Sequence, residues 1–387
     1  MDSIAYYLAL NLATGINIKK KLELLHYFKE IKLLFSADQK EIDQLITGKV
    51  KSELISNRQG LLEQGEKELE KAVALNVGIT HIDAPDYPEN LKAIPDPPIA
   101  LYYKGTLSQD DFNSVSVVGC RNATPYGLKN SYKLGYGLAQ NGVTVVSGLA
   151  KGIDGEAHKG AIDGEGRTVA VLGCGIDRVY PKEHKELHEV IAQKGCLITE
   201  FPIGKEPKGF HFPIRNRIIC GLSVGVVVVE GSKDSGSLYT AEFALDYGRE
   251  LYAYPGPAQS YNYSGTHLLL KKGARLIENS YELLEDLSLV LDLELSSPKK
   301  NKKMYPQAKE IILNSIEENV DEKEKNLDLS DEENKVMNLL SFEKKHFDEI
   351  VNESQLQVNQ ISSAITKLVL KDLCIQCDGN YYIRNNN

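Results

Sequence analysis

Apolar residues over 1–75 fall three and four apart: Ile4, Tyr7, Leu8 and Leu12, then Leu22, Leu24, Leu25 and Phe28, then Ile31, Leu33, Leu34 and Phe35. That spacing predicts short amphipathic helices. Gly15 and Ser36-Ala37-Asp38 punctuate them, and Asp38 is the expected N-cap of a helix running to Leu45 and Ile46. A Pro-rich stretch from Asp83 to Pro98 follows, read as an extended lead-in to a strand at 99–103. From 114 the pattern changes. Apolar runs at 116–119, 143–148, 168–173, 196–200, 224–230 and 251–254 alternate with helical stretches at 127–141, 155–164 and 238–249. Valine runs without polar alternation are buried on both faces, as in a parallel sheet covered by helices. The expected fold class is α/β: an extended Rossmann-like, doubly wound, mostly parallel sheet.

The pattern fails over 292–328, where Lys299, Lys300, Lys302 and Lys303 and then Glu317, Glu318, Asp321 and Glu322 form polar charge blocks. That composition reads as a linker. Helices are expected again from Ser330 to Leu340, from Phe347 to Val351 and from Val358 to Leu370. A hairpin follows, with Asp378-Gly379-Asn380 between 374–377 and 381–383. Three helices and a hairpin make a C-terminal winged-helix domain. The expected domains are therefore 1–75, helical and of a SAM or helix-hairpin-helix kind; 80–291, Rossmann-like; 292–328, linker; and 329–387, winged helix.

The chain has 387 residues, 42% hydrophobic and 26% charged, as expected of a globular protein with more than one domain. No leader and no apolar run of membrane-spanning length is apparent, so no membrane segment is expected. The six cysteines are scattered, which fits buried thiols in a reducing, cytoplasmic setting. Cys374 and Cys377 form a lone CxxC with no second pair and read as strand residues, so no metal site is expected. A net charge of −9 means that any nucleic acid must meet a local basic surface. The winged-helix segment does not supply one. Residues 329–387 hold six Lys/Arg against nine Asp/Glu, a balance of −3, and the third helix contributes only Lys367 and Lys371. Phosphate neutralisation drives duplex binding, so a protein-interaction role is expected of this module.

In an open parallel sheet, ligands bind at the carboxyl ends of strands. Four turns there carry candidate chemistry. Arg121 follows Gly119-Cys120, Ser147-Gly148 leads to Lys151-Gly152, Lys182 follows Tyr180-Pro181, and Ser235-Gly236-Ser237 opens a helix whose N-terminus favours anions. No GxGxxG follows the first strand and no Walker A sequence occurs, so neither NAD nor ATP, nor any other cofactor, is expected. The loop 205–217 adds Lys205, Lys208, Arg215 and Arg217 against the single acid Glu206, with Phe210, His211 and Phe212 among them and Asn216 between the two arginines. Cations that track a backbone, with rings that stack on bases, suit a single strand. The alternative makes Phe212 and Ile214 core anchors and pairs Arg215 and Arg217 with carboxylates such as Glu200 or Glu230. The histidines show no metal-ligand spacing and no Ser sits in a G-x-S-x-G elbow, so no catalytic residue is assigned. Glu242, in the helix after Ser237, is the one carboxylate placed for a general base.

Several of these motifs occur in the order found in one family. Val118-Gly119-Cys120-Arg121, the run from Ser147 to His158, Val171-Leu172-Gly173-Cys174-Gly175, the run from Phe212 to Ser223, Ser235-Gly236-Ser237-Leu238-Tyr239-Thr240-Ala241 and Pro255-Gly256-Pro257 resemble the bacterial DNA-processing protein DprA (Smf) family over about 80–290. The resemblance implies a single-stranded DNA-binding protein that protects incoming DNA in natural transformation and loads the RecA recombinase. It also implies a homodimer formed through the Rossmann-like domain. The residues it implicates are Arg121, Lys182, Lys208, Phe212, Arg215, Asn216 and Arg217, with Ser147, Gly148 and Lys151. Lys151 stands where the family often has Arg, and Cys120 where Ser or Thr is commoner. Two other readings compete. Ser235 to Glu242 resembles the phosphate-binding turn of LOG-type nucleoside-monophosphate phosphoribohydrolases, and a winged-helix regulator with a Rossmann-like sensor has the same domain order.

Overall fold

The structure, a computed structural model, describes residues 3–46, 53–288, 291, 329–340, 345–354, 356–371, 373–377 and 380–384. It divides into two compact units, Met1–Glu294 and Leu295–Asn387. The first is built on a nine-stranded sheet: β1 Gly78–His81, β2 Ala100–Gly105, β3 Ser114–Val118, β4 Thr144–Ser147, β5 Thr168–Val171, β6 Cys196–Thr199, β7 Gly225–Val228, β8 Glu250–Ala253 and β9 Arg275–Leu276. The spatial order is β1-β2-β6-β5-β4-β3-β7-β8-β9. Strands β3 to β9 run parallel to their neighbours, while β2 is antiparallel to β6 and β1 to β2. The chain lays β4, β5 and β6 outward on one side of β3, then crosses back to place β7, β8 and β9 on the other. That reversal puts the carboxyl ends of β3, β4 and β7 side by side at the switch point.

Helices cover both faces, as the valine runs require. Pro125–Gln140 (α8), Ile153–Asp163 (α9) and Ser280–Leu287 (α14) pack with Val115, Val117, Val145 and Val227 on one face. His211–Leu222 (α11) and Ser237–Asp246 (α12) pack with Val118, Val146, Val171 and Val226 on the other. Lys185–Lys194 (α10) lies beside β5 and β6 through Ile191, and Ser264–Lys271 (α13) follows β8. Among the described residues, six helices between Ser3 and Ala74 form the N-terminal bundle, from α1 (Ser3–Leu12) to α6 (Arg58–Ala74). They enclose their own core of Leu10, Leu24, Leu34, Ile42 and Leu61. Asp38 caps Gln39–Leu45 (α4) as expected, accepting from the Lys40 N–H at 3.1 Å.

One expectation needs correction, and one strand was not foreseen. The Pro-rich lead-in holds only a four-residue helical turn, Glu89–Lys92 (α7), and β1 precedes it; β1's Gly-Ile-Thr-His sequence is too short and mixed to show a strand pattern. The stretch expected as a basic loop up to Arg217 is largely α11. Pro213 is no obstacle, because it occupies the first turn, where its missing N–H has no intrahelical partner to lose. Sheet contacts then favour the helix. Ser114 Oγ donates to the Leu222 carbonyl at 2.9 Å and Ser116 Oγ to that of Ile219 at 2.8 Å, so the two serines of the apolar strand β3 fasten the last turn of α11.

In the second unit, Ser330 and Glu333 form a capping box at the start of helix Asp331–Leu339, followed by helices Phe347–Ser354 and Val358–Leu370. Strands Lys345–His346 (β10), Cys374–Cys377 (β11) and Tyr381–Arg384 (β12) form an antiparallel sheet with β12 in the centre, the architecture of a winged helix. Its core joins Val336, Ile350, Ile361, Leu368 and Tyr382. The expected linker 292–328 and the hairpin turn residues 378 and 379 lie outside the described residues. Among those described, no helix is long and apolar enough to cross a membrane.

Candidate functional site

The turn after β3 crosses the turn after β4. Gly152 sits at φ 78°, and a Cβ there would run into the Cys120 and Arg121 carbonyls, so a side chain would be both strained and blocked. The turn after β7 is tied to them by Glu230. This carboxylate is fully buried, yet it accepts from the Thr124 N–H (2.9 Å) and hydroxyl (2.7 Å), from Asn262 Nδ2 (3.0 Å) and from the Tyr263 hydroxyl (2.9 Å). The backbone N–H of Cys120 in turn donates to the Glu230 carbonyl at 2.8 Å. Glu230 therefore acts as a rivet between the β3 turn, the start of α8 and the 261–263 turn.

Between these turns and the N-termini of α11 and α12 lies a cleft of about 520 Å³. It gathers Arg121, Phe212, Arg215, Asn216 and the Ser235-Gly236-Ser237 turn. Arg121 is exposed, and its guanidinium carbon stands 5.1 Å from the centre of the Phe212 ring, a cation–π geometry. The other side of that ring environment is Tyr180, 5.3 Å away between centroids, with Gly173 beneath, where a Cβ would meet the ring at 2.7 Å. Asn216 Nδ2 reaches the Gly236 carbonyl at 3.4 Å, and the Ser235 and Ser237 hydroxyls lie 2.8 Å apart at the start of α12. A half-exposed ring under a guanidinium, beside a helix N-terminus, offers a stacking surface and two anion-favouring groups.

The remaining expected residues divide by burial. Ser147 is buried, and its hydroxyl donates to the Val117 carbonyl at 2.6 Å, joining β4 to β3. Gly148 is also inside: its N–H donates to Asp154 Oδ2 at 3.2 Å and its carbonyl accepts from Arg215 Nη1 at 2.7 Å. Arg215 is 3% exposed and also bonds the Val171 carbonyl, so it staples the ends of β4 and β5; burial lowers its pKa to about 10 against the pull of Asp154. Burial likewise raises the Asp154 carboxyl above its ordinary range. Arg217, expected to meet phosphate, is 6% exposed and paired with Glu200, with Asp96 3.7 Å from Nε. The expectation of an outward Arg217 is corrected: one helical turn places it on the inner side of α11, where the carboxylate reading considered for it holds.

Lys151, Lys182 and Lys208 are exposed around the cleft rather than in its lining. Lys151 pairs with Glu183 at 2.5 Å. Lys182 and Lys208 form no ion pair among the described residues. Glu206, the acid nearest in sequence to Lys205 and Lys208, pairs instead with Arg178 at 3.1 Å. Phe210, beside them, is 63% exposed. Glu242 is exposed on α12 and lines a different depression, with Leu245, Leu268 and Arg275.

Sequence reasoning missed three contributors: Asp154, Tyr261 and Asn262, all lining the cleft. Tyr261 is 61% exposed and its hydroxyl donates to Asp234 at 2.9 Å. The Pro255-Gly256-Pro257 run flagged the approach to this turn, but no pattern within 258–264 pointed back to a strand end twenty-five residues and more away.

The fold defines a doubly wound α/β protein with a cleft at the topological switch point, carrying a winged helix in the same chain. Residues 78–288 match the family described as DNA recombination-mediator protein A, and residues 321–380 match the DprA winged helix domain. The chain belongs to the DNA recombination-mediator protein A family. Protein Smf of Synechocystis is 41% identical over 212 residues, 54% of this chain; the chain spans about half the length of that relative, 53%. Among solved structures, DNA processing protein A of Streptococcus pneumoniae matches with a TM-score of 0.62 at 32% identity, covering 74% of this chain and 98% of that one. The Helicobacter pylori DNA processing protein A, whose structure was described for its single-stranded DNA binding mode, matches with a TM-score of 0.51 at 29% identity, covering 56% of this chain and 97% of that one.

Proposed function

We propose that this chain binds single-stranded DNA along the carboxyl edge of its sheet, without catalysing a reaction, and acts as a recombination mediator. In this role it protects incoming strands during natural transformation in the cytoplasm and passes them to RecA, working as a homodimer through the Rossmann-like domain. The observation that carries the reading is the Arg121–Phe212 pair at the mouth of the cleft, 5.1 Å apart. A base can stack on the half-exposed ring environment of Phe212 and Tyr180 while the guanidinium meets the adjoining phosphate. The N-terminus of α12 favours a second phosphate, the exposed Tyr261 adds a second ring to the cleft lining, and Lys182 and Lys208 extend the path outside it. The family membership and the H. pylori relative's binding mode support the choice of a single strand over a small ligand.

A salt titration of fluorescent oligo-dT binding tests it. The double variant Arg121→Glu/Lys208→Glu is expected to bind at least tenfold more weakly, and its log–log salt slope to flatten by about 1.4, about 0.7 for each single-strand phosphate that is no longer neutralised. A folded double variant with unchanged affinity and slope would show that these residues do not form the interface.

A further inference from the structure

The segment 200–208, which carries Lys205 and Lys208 to the edge of the cleft, is held from outside the α/β core. Glu68, on α6 of the N-terminal bundle, is 4% exposed; its Oε1 accepts from the Ile203 N–H at 2.6 Å, while Lys71 reaches its Oε2 at 3.1 Å. Asn11, at the end of α1, donates from Nδ2 to the Glu200 carbonyl at 3.2 Å. Lys21, 8% exposed, closes that corner by donating to the Asn11 carbonyl at 2.8 Å. Leu8 of α1 and Leu69 of α6 pack in one cluster with Ile176 and Ile203. From the opposite side, Asp177 Oδ1 accepts from the Gly204 N–H at 2.7 Å, and the Gly175 N–H donates to the Lys205 carbonyl at 2.8 Å. The segment is thus pinned at Glu200 and Ile203 by the bundle and at Gly204 and Lys205 by the turn after β5. Beyond Lys205, the backbone bond from the His211 N–H to the Lys208 carbonyl leads straight into α11.

We propose that Glu68 is a positioning residue for DNA binding: through the Ile203 amide, the N-terminal helical bundle sets where Lys205 and Lys208 stand. A carboxylate accepting a backbone N–H makes a charge-assisted bond, and its removal leaves a half-buried donor without a partner. The segment then relaxes about its remaining anchors. Because both lysines lie within five residues of Ile203, the error is carried directly to the cations. The DNA part of this inference rests on the function proposed above; the mechanical part does not.

The test uses the full chain with Glu68→Ala and Glu68→Gln, each alone and with Lys208→Ala. Amide hydrogen exchange over 203–208 and oligo-dT affinity are measured in parallel. In Glu68→Ala, exchange is expected to rise over 203–208 while the sheet stays protected, and oligo-dT binding to weaken about fivefold. The further loss caused by Lys208→Ala should shrink by about threefold or more in that background, the mark of two residues acting through one another. Glu68→Gln, which keeps an accepting oxygen, should recover most of both effects. Unchanged exchange over 203–208, or additive losses from Glu68→Ala and Lys208→Ala, overturns the proposal. If the unaltered protein does not bind oligo-dT, the proposed function fails and with it the DNA part, while the exchange data still decide the mechanical part. Should Glu68→Ala not fold, Asn11→Ala goes through the same cycle under the same criteria.

Discussion

The carboxyl edge of the nine-stranded sheet and the third helix of the winged unit both carry cations, and they differ in what holds them. On helix Val358–Leu370 and just after it, Lys367 and Lys371 both turn to Glu333, at 3.8 Å and 2.8 Å, and Glu333 itself is buried. At the sheet edge, Arg121 lies over a ring, and Lys182 and Lys208 form no ion pair among the described residues. The acids nearby are engaged elsewhere, Glu230 by hydroxyl, amide and backbone donors and Glu206 by Arg178. The same contrast runs through a single helix: on α11, Arg217 is buried and paired away from the cleft, while Phe212 and Asn216 line it. A cation is available to a ligand only where its neighbouring carboxylates already have other partners. Counting charges along the chain cannot distinguish the two cases.

Three measurements would break or sharpen this contrast. Arg217→Ala removes a cation engaged by the fold, leaving the half-buried Glu200 without its partner, and should cost about 3 kcal/mol in denaturant unfolding. An arginine that instead served a ligand would leave stability nearly unchanged and weaken only binding. The second concerns the interior behind the cleft, where His158 on α9 is fully buried and burial lowers its pKa from 6.5 to about 3. A histidine with a depressed folded pKa contributes stability that is fully present above 6.5 and lost as the pH falls toward 3. The unfolded chain takes up the proton first, so stability should drop by about 1.4 kcal/mol per pH unit for this residue. His158→Asn should remove that share of the slope in unfolding curves between pH 6.5 and 5. The smallest effect belongs to the winged unit: Lys367→Ala/Lys371→Ala should leave oligo-dT affinity and its salt slope unaltered. A slope that flattened by about 1.4, about 0.7 for each lysine, would place a nucleic acid on that helix.

Much of the fold could be read from the chain because its information is local. Valine-rich runs at 116–119, 143–148 and 224–230 announce strands buried on both faces, and the glycine turns at their ends mark the carboxyl edge. Asp38 and Ser330 announce helix starts by the same local chemistry. Residues 207–217 were different. Two prolines, a glycine and a cluster of charges read as a loop, yet His211–Leu222 is helical because its last turn is fastened to Ser114 and Ser116, about a hundred residues earlier. Once the segment is a helix, its residues are sorted by a period of 3.6 rather than exposed together. Phe212 and Asn216, four apart, line the cleft, while Arg217 turns to Glu200. Tyr261 and Asn262 joined the site for an equally non-local reason, through Asp234 and Glu230 respectively.

By itself, the sequence determined the alternation of strands and helices, the order of the motifs and the family, since each depends on the spacing of residues within a short stretch. It also determined that the cations at the sheet edge cluster despite a net charge of −9. The tertiary structure alone decided which of those cations face outward, because pairing with Glu200 or Glu183 depends on residues brought together from separate parts of the chain. It alone decided, too, that the N-terminal bundle reaches the basic segment: the bond from Ile203 to Glu68 spans 135 positions, and no local pattern encodes a contact at that distance.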